Sequence, residues 1–416
     1  MISAKVKNIY LVNKKIFESI SYLTIIQMVA MILPFLTYPY LIKTLGLGLY
    51  GKIMLSQAVV SYVAIFVNFG FNISAAKSAS EKINQPEQLN EICSAIITVK
   101  TLIWLFVTFI YVICILHFVP DNKNKVLYLS AYTLTFNEFL VCQWFYQAIE
   151  ELKIIATLSI ISKVANVILI FLLVKSPSNY YFVSLITGGA YFLTGVYSIL
   201  HMFRYHVKFV VPSIRVIINV TKDSFNLFLT SAIIAIKNKL DVILIGAFIS
   251  SEMVAIYDFA QKILNILLLP ITIINNAIFP RMNREKNKLF LKKIILISFG
   301  LTFVYITFSE LLLPYIMHYI FVVSHDSINI TRLMILSAIF FSLSLPLAQN
   351  GLIVFNYTKL HLLGMLSTTA LYIGIMALGY KCSFLTDVYY FVYTSLILFA
   401  YETFYRYSFC KWKRIL

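Results

Sequence analysis

The sequence predicts an all-α, polytopic membrane protein of about twelve transmembrane helices in two six-helix halves, and three observations predict it. Apolar runs of about 20 residues recur along the whole chain, the length that crosses a ~30 Å hydrocarbon layer at 1.5 Å per residue. The runs are continuous rather than alternating, which points to helices and not to a β-barrel. Of the 416 residues 60% are hydrophobic and 12% charged, with mean hydropathy +0.86. Soluble domains carry about 25% charged residues, so no large soluble domain is expected.

In chain order the expected helices are 19–42, 53–74, 92–116, 126–148, 154–174, 180–203, 224–248, 253–277, 291–313, 328–348, 360–380 and 384–405. The first is too long for a signal-peptide core and runs into Lys43 rather than a small-residue cleavage site, so it should remain as a membrane helix. Pro34 and Pro39 fall in the first helix, Pro270 in the eighth and Pro346 in the tenth, and Gly188, Gly189 and Gly195 loosen the sixth. Such breakers bend helices, but they are common in membrane helices generally. The longest loop on the outer side is 314–327.

Lysine and arginine set the orientation. Of 34, 22 lie on the side of the N-terminus, Arg406 among them, 6 on the other side and 6 within helices. That asymmetry puts both termini in the cytoplasm. The basic stretch 204–222 divides the chain into an N-terminal lobe (1–205), a linker (206–222) and a C-terminal lobe (223–416). The halves echo one another: "LIKTLGLGLYGKIMLSQAV" (41–59) aligns with "LIGAFISSEMVAIYDFAQKI" (244–263), matching Gln57 to Gln261. Transporters are often built from such repeats.

The net charge of +17 could suggest nucleic acid, but most of the cations sit in short loops. An anionic membrane surface is the expected partner, and no nucleic acid. Cys93, Cys114, Cys142, Cys382 and Cys410 are scattered, and the histidines form no ligand pattern. Neither a disulfide framework, a metal nor a cofactor is called for.

Charges inside the apolar runs carry the functional signal, because a charge in a bilayer is costly and usually belongs to an ion or substrate path. Lys237 with Asp241, and Asp258 with Lys262, are i, i+4 neighbours on two helices joined by a tight turn. Asp241 and Asp258 fall roughly 10 and 8 Å below their outer helix ends, and Lys237 and Lys262 roughly 16 and 14 Å below. The four can pair along or across the helices. Two readings stay open: neutralised pairs that fix packing, or a polar path. Lys239 lies about 200° round its helix from Lys237 and needs its own partner or water. Lys100 and Lys163 have no carboxylate one turn away. They either snorkel to the cytoplasmic surface or face a wet cavity. Glu138 is a candidate partner or proton carrier. Trp144, Tyr146 and Tyr257 are candidates for stacking on sugars, set against the commoner packing roles.

Local motifs then point to a family. "LPFLTYPYLIKTLGLGLYGKIMLSQAVVSYVAIFVNFGFNISAAK" (33–77) resembles the first two helices of the Wzx-type O-antigen and capsular polysaccharide flippases, through Pro34, Leu45, Gly46, Tyr50, Gly51, Gln57, Tyr62, Gly70 and Phe71. "QWFYQAIEELK" (143–153) resembles that family's turn after helix 4 through Trp144, Gln147 and Glu150, but has Ala148 where glycine is usual. "YDFAQKI" (257–263) and "IFPRM" (278–282) resemble its eighth helix and cytoplasmic exit. The resemblance implies a MATE-like fold, two six-helix lobes about a central cavity, in a bacterial inner membrane. It implies a substrate of the undecaprenyl-diphosphate-linked oligosaccharide class, an O-antigen or capsule repeat unit, carried from the inner to the outer leaflet. Membrane lipids, and other polysaccharide assembly proteins, are the further partners in view.

On that reading Lys237, Lys239, Lys262, Lys163 and Lys100 are the candidate contacts for the diphosphate, and Asp241, Asp258 and Glu138 the candidates for ion coupling. The rivals are a cation-coupled antiporter of the same superfamily, which would favour a carboxylate-rich cavity, and a lipid-linked glycan polymerase or ligase. Such an enzyme would present a large outer loop with basic catalytic residues, which this sequence lacks, so no enzymatic activity is expected.

Overall fold

A computed structural model of the chain describes residues 32–205, 207–320 and 325–416, which are overwhelmingly helical with no strand among them. Helix α1 is described over 32–45. It is followed by α2 (Leu47–Asn68), α3 (Phe71–Glu81), α4 (Pro86–Phe118), α5 (Asn122–Tyr132), α6 (Phe136–Leu140), α7 (Gln143–Ala148), α8 (Leu152–Leu173) and α9 (Phe182–Met202). Then come α10 (Ile214–Phe248), α11 (Ser251–Glu285), α12 (Lys288–Ile320), α13 (His325–Pro346), α14 (Thr358–Lys381) and α15 (Val388–Trp412). Among the described residues, eight helical runs are long and apolar enough to cross a membrane. They coincide with the expected second, third, fifth, sixth and eighth to eleventh helices. The start of the expected first helix lies outside the described residues; the seventh lies within α10, and the twelfth begins in a 3₁₀ turn at Phe384–Thr386 and continues in α15.

The chain forms two compact units. One holds the described residues up to Thr37 together with Ser56–Ala235; the other holds Tyr38–Leu55 with Ile236–Leu416. The basic stretch read as a linker is helical from Ile214 onward. The loop expected at 314–327 is helix through Ile320 and again from His325, with 321–324 outside the described residues.

In the first unit, two expected helices are broken. The run 53–74 turns at Phe69 (φ 47°) and Gly70 (φ 78°), both left-handed. Gly70 also meets α10 so closely that a Cβ there would lie 2.7 Å from the Ser224 carbonyl oxygen. The run 126–148 is not one helix but α5, a 3₁₀ turn at Thr133–Thr135, α6 and α7, with Val141 extended and Cys142 non-helical between the last two. Such a break within a membrane is tolerated only where protein satisfies the freed backbone, and Ser198 on α9 does so. Cys142 N–H donates to Ser198 Oγ (3.2 Å), and that hydroxyl donates to Gly195 O (2.8 Å) or Leu140 O (3.3 Å). Gly188 and Gly195 therefore do not loosen α9, which is continuous. They admit the broken segment: a Cβ at Gly188 would fall 1.9 Å from Thr133 Oγ1, and one at Gly195 2.3 Å from Leu140 Cβ.

The turn after α7 keeps its form despite Ala148. The left-handed residue is Glu150 (φ 60°), and Glu151 N–H closes back on Tyr146 O at 2.8 Å, so Ala148 sits within α7, where glycine is not required. Trp144, Phe145 and Tyr146 are fully buried against Phe71, Ala75 and Ile96.

In the second unit, the segment before and at the start of α2 packs on the start of α11. A Cβ at Gly51 would overlap the Ser251 carbonyl (1.6 Å), Gly48 faces Glu252, and Tyr38 Oη donates to Ala255 O at 2.7 Å. Gly246 meets Leu55 in the same way, with contacts of 2.8 Å. The two segments that echo each other in sequence thus lie against one another. Further on, Pro346 ends α13 and the chain continues as a π-helix, Leu347–Ile353. There Asn350 donates to Asn275 Oδ1 of α11 (2.8 Å), both fully buried.

Removing the Ser198 hydroxyl leaves the Cys142 N–H buried and unpaired, which costs about 1–3 kcal/mol. Ser198→Ala is expected to lower the melting temperature in detergent, and Gly195→Val to lower it further by forcing α9 away from α6. An unchanged melting temperature for both would mean that the break is stabilised elsewhere.

Candidate functional site

Helical spacing sorts the polar residues of α11 into two stripes. Tyr257, Gln261 and Asn265 are successive i, i+4 neighbours on one face; Asp258 and Lys262 lie on the next, about 100° round. The first stripe faces Asp241. Tyr257 of α11 donates to Asp241 Oδ2 at 2.7 Å, and Tyr372 of α14 donates to Oδ1 at 2.6 Å. Both phenols are fully buried and Asp241 is 6% exposed. Both lengths are those of well-formed O–H···O hydrogen bonds. One carboxylate thereby ties α10, α11 and α14 together. Beside it opens a cavity of about 320 Å³, whose lining includes Lys239, Asp241, Gln261, Asn265 and Ser395. Lys239 is exposed there, one residue from the buried carboxylate's neighbour Leu240. Among the described residues, the cavity therefore offers one cation, one anion and several neutral polar groups.

The second stripe faces the other way. Lys262 Nζ forms an ion pair with Asp258 one turn before it, and donates to Tyr50 Oη at 3.2 Å. The ammonium also lies 5.0 Å from the ring centre of Tyr38 and 5.7 Å from that of Tyr50. Lys262 is thus boxed by a carboxylate and two aromatic faces, and it does not bond Asp241. The side chain of Lys237 lies outside the described residues.

In the first unit, Glu138 of α6 accepts hydrogen bonds from Asn68 at the end of α2 and from Asn137, whose Nδ2 is 2.8 Å from Oε1. Asn72 of α3 stands 3.5 Å away. Lys100 is 2% exposed and within the electrostatic reach of Glu138. It makes no hydrogen bond or ion pair among the described residues, a buried cation facing a carboxylate that three amides already hold. Lys163 is half-buried on α8. Its neighbours Ser159 and Ser162 line a cavity of about 200 Å³ with Asn137, Gln143, Tyr191 and Thr194, and Lys163 is not in that lining.

The structure corrects several expectations. Of the four charges expected at matching depths, Asp258 pairs along its helix with Lys262 and Asp241 accepts from Tyr257 and Tyr372, while the side chain of Lys237 lies outside the described residues. Trp144, Tyr146 and Tyr257 are fully buried and cannot stack on a sugar: the first two form the core under α7, and Tyr257 serves Asp241. Arg406 is not a loop cation but a buried residue of α15, paired with Glu402 at 3.2 Å and donating to Ser344 Oγ at 2.6 Å. The i, i+4 spacing of Glu402 and Arg406 is the signal that the expected helix end at 405 cut off, since α15 runs on to Trp412. Tyr372 carried no local signal, because its partner is 131 residues away.

An all-helical, multi-pass membrane protein whose spans hold both charged cavities and charge-satisfying clamps is the class that fold and site define. The chain belongs to the polysaccharide biosynthesis protein family, whose model matches residues 16–286. It is 27% identical over 284 residues to the "Putative O-antigen transporter" of Escherichia coli (strain K12), covering 66% of this chain and 68% of that one. Its fold is similar to that of the lipid II flippase MurJ in an inward closed conformation (TM-score 0.74, 15% identity, 93% of this chain and 87% of the other). It is also similar to the inward-facing conformation of a multidrug resistance MATE family transporter of the MOP superfamily (TM-score 0.66, 14% identity, 94% and 97%). At these identities the likeness is one of fold, and it is the MATE-like fold that the sequence resemblance implied.

Tyr372→Phe removes a hydrogen bond to a buried carboxylate, worth about 1–3 kcal/mol. The expected outcome is a lower melting temperature for Tyr372→Phe, and a smaller loss when Asp241→Asn is already present. Equal losses in both backgrounds would mean that the phenol does not act through Asp241.

Proposed function

We propose that the protein is a flippase that carries an undecaprenyl-diphosphate-linked oligosaccharide, an O-antigen or capsule repeat unit, from the inner to the outer leaflet of a bacterial inner membrane. Alternating access is the motion proposed, with both termini in the cytoplasm. The observation that carries the reading is the Lys239–Asp241 cavity, a charged opening inside a membrane unit of a polysaccharide biosynthesis family protein. The relative named as an O-antigen transporter supports the substrate class. Membrane lipids and other polysaccharide assembly proteins are the proposed partners.

The chemistry is that of carriage, with no bond made or broken. Sugar hydroxyls need polar surroundings to leave water, and a diphosphate needs cations. Lys239 is the strongest candidate contact because it is exposed in a cavity; Lys100, Lys163 and Lys237 are the others. Lys262 is already neutralised by Asp258, so its proposed part is to keep α11 in register with Tyr38 and Tyr50. Outward movement of an anion is favoured by an inside-negative potential by about 2.3 kcal/mol per charge per 100 mV. Asp241 and Glu138 are the carboxylates proposed for resetting the empty carrier, and Asp258 is less suited because its charge is occupied. A cation antiporter is the second reading. Lys100, buried and without a partner among the described residues, disfavours it, since a cationic cargo would be repelled.

Complementation of cells lacking their own flippase, with the matching sugar pathway and equal protein levels, tests this. Wild type should restore surface polysaccharide. Lys239→Ala should reduce it by about tenfold or more, as expected for loss of one charge-assisted contact. No restoration by wild type would remove the flippase reading. The coupling role is separable: Asp241→Asn with Glu138→Gln should flatten the pH dependence of transport. An unchanged pH profile in that double variant would discard both carboxylates as coupling groups.

A further inference from the structure

The second unit carries an apolar groove of about 840 Å³ between α12, α13 and α15 that the transport reading does not use. Its walls include Leu296, Phe299, Leu343 and Phe404, with Leu296 and Phe404 about 70% exposed. Two cations, Lys292 of α12 and Lys411 of α15, line the same groove and are exposed. Both sit at the end of the unit where α11 ends, α12 and α14 begin and α15 ends. That end also carries Arg281, Arg284, Lys288, Lys293, Lys359 and Lys413.

The depth of the groove is informative. From Lys292 to Phe299 it follows α12 for about 10 Å, and from Lys411 back to Ala400 it follows α15 for about 16 Å, at 1.5 Å per residue. One leaflet is about 15 Å of hydrocarbon, half of the ~30 Å core. The groove therefore starts among cations and ends near the membrane midplane. Two aromatic residues of α15 mark the headgroup level: Tyr407, which lines the groove, and Trp412, 65% exposed, with the Lys413 ammonium 3.7 Å from its ring. Such residues sit at the membrane–water interface. Cations at headgroup level above a leaflet-deep apolar trough complement a lipid with a negative head and tails that stop at the midplane.

We propose that this groove is a binding site for an anionic phospholipid of the leaflet at the basic end, its phosphate held by Lys292 and Lys411 and an acyl chain lying along Leu296, Phe299, Leu343 and Phe404. The depth selects a leaflet phospholipid over a longer isoprenoid, whose tail would overrun the groove. The site stands on the membrane fold alone, so it holds or fails independently of what the protein transports.

The test is native mass spectrometry of the full chain released from nanodiscs of equal phosphatidylglycerol and phosphatidylcholine. Wild type should retain phosphatidylglycerol in preference. Lys292→Ala and Lys411→Ala should each weaken that retention about fivefold, as expected for one cation near an anionic headgroup. The double variant Lys293→Ala/Lys359→Ala removes twice the charge of either single variant from the same end but none from the groove, and should retain the preference. The proposal is overturned if wild type shows no preference, or if the groove lysines do not matter. It is also overturned if the control double variant loses as much, which would indicate diffuse charge attraction. In a parallel arm, undecaprenyl phosphate added to the same nanodiscs should not displace phosphatidylglycerol. Displacement that depends on Lys292 and Lys411 would assign the groove to an isoprenoid carrier instead.

Discussion

A polar group inside hydrocarbon has no water to turn to, and every unusual feature of this fold answers that constraint. Asp241 takes its hydrogen bonds from phenols on two other helices. Glu138 takes its own from amides on neighbouring segments. The broken backbone between α6 and α7 is closed by the hydroxyl of Ser198. In each case except Asn137, the chain neighbour of Glu138, the partner comes from another element. The polar contacts therefore do more than neutralise cost, because an unmet group is far more destabilising than a met one is stabilising. They select one arrangement of helices from the many that apolar packing alone would allow.

The same constraint explains what the sequence could and could not reveal. The spans were legible because apolar length is a local property. The Asp258–Lys262 pair was legible because a helix sets its spacing. The partners of Asp241 and Glu138 were not, since tyrosine and asparagine look ordinary until another helix brings them into contact. The interruption of the segment 126–148 was hidden for a related reason. Its residues are apolar enough to continue a helix, and only Ser198, more than fifty residues further on, makes the break affordable.

The motifs that carried the family resemblance have a physical meaning here. Gly48, Gly51, Tyr38 and Tyr50 form one side of a seam whose other side is Ser251, Ala255 and Lys262. Without a hydrophobic drive between helices in lipid, close backbone approach and directed polar contacts hold such seams. Gly70, Phe71 and Trp144 belong to a comparable packing in the first unit. These motifs are therefore marks of architecture. Lys239, the contact proposed for a cargo, lies on α10 in a cavity beside Asp241 and carries no motif of its own.

The π-helix Leu347–Ile353 has a consequence for how the end of α13 is read. A π turn holds an extra residue, so everything beyond it is rotated by about 100° relative to a regular helix. A periodicity carried straight through Pro346 assigns the wrong side chains to the wrong neighbours. The register in which Asn350 meets Asn275 exists only because of that added residue. Sequences lacking one position in this stretch would keep an unbroken helix yet aim a different residue at α11, so a single-residue gap there would mark a change of interior, not of loop length.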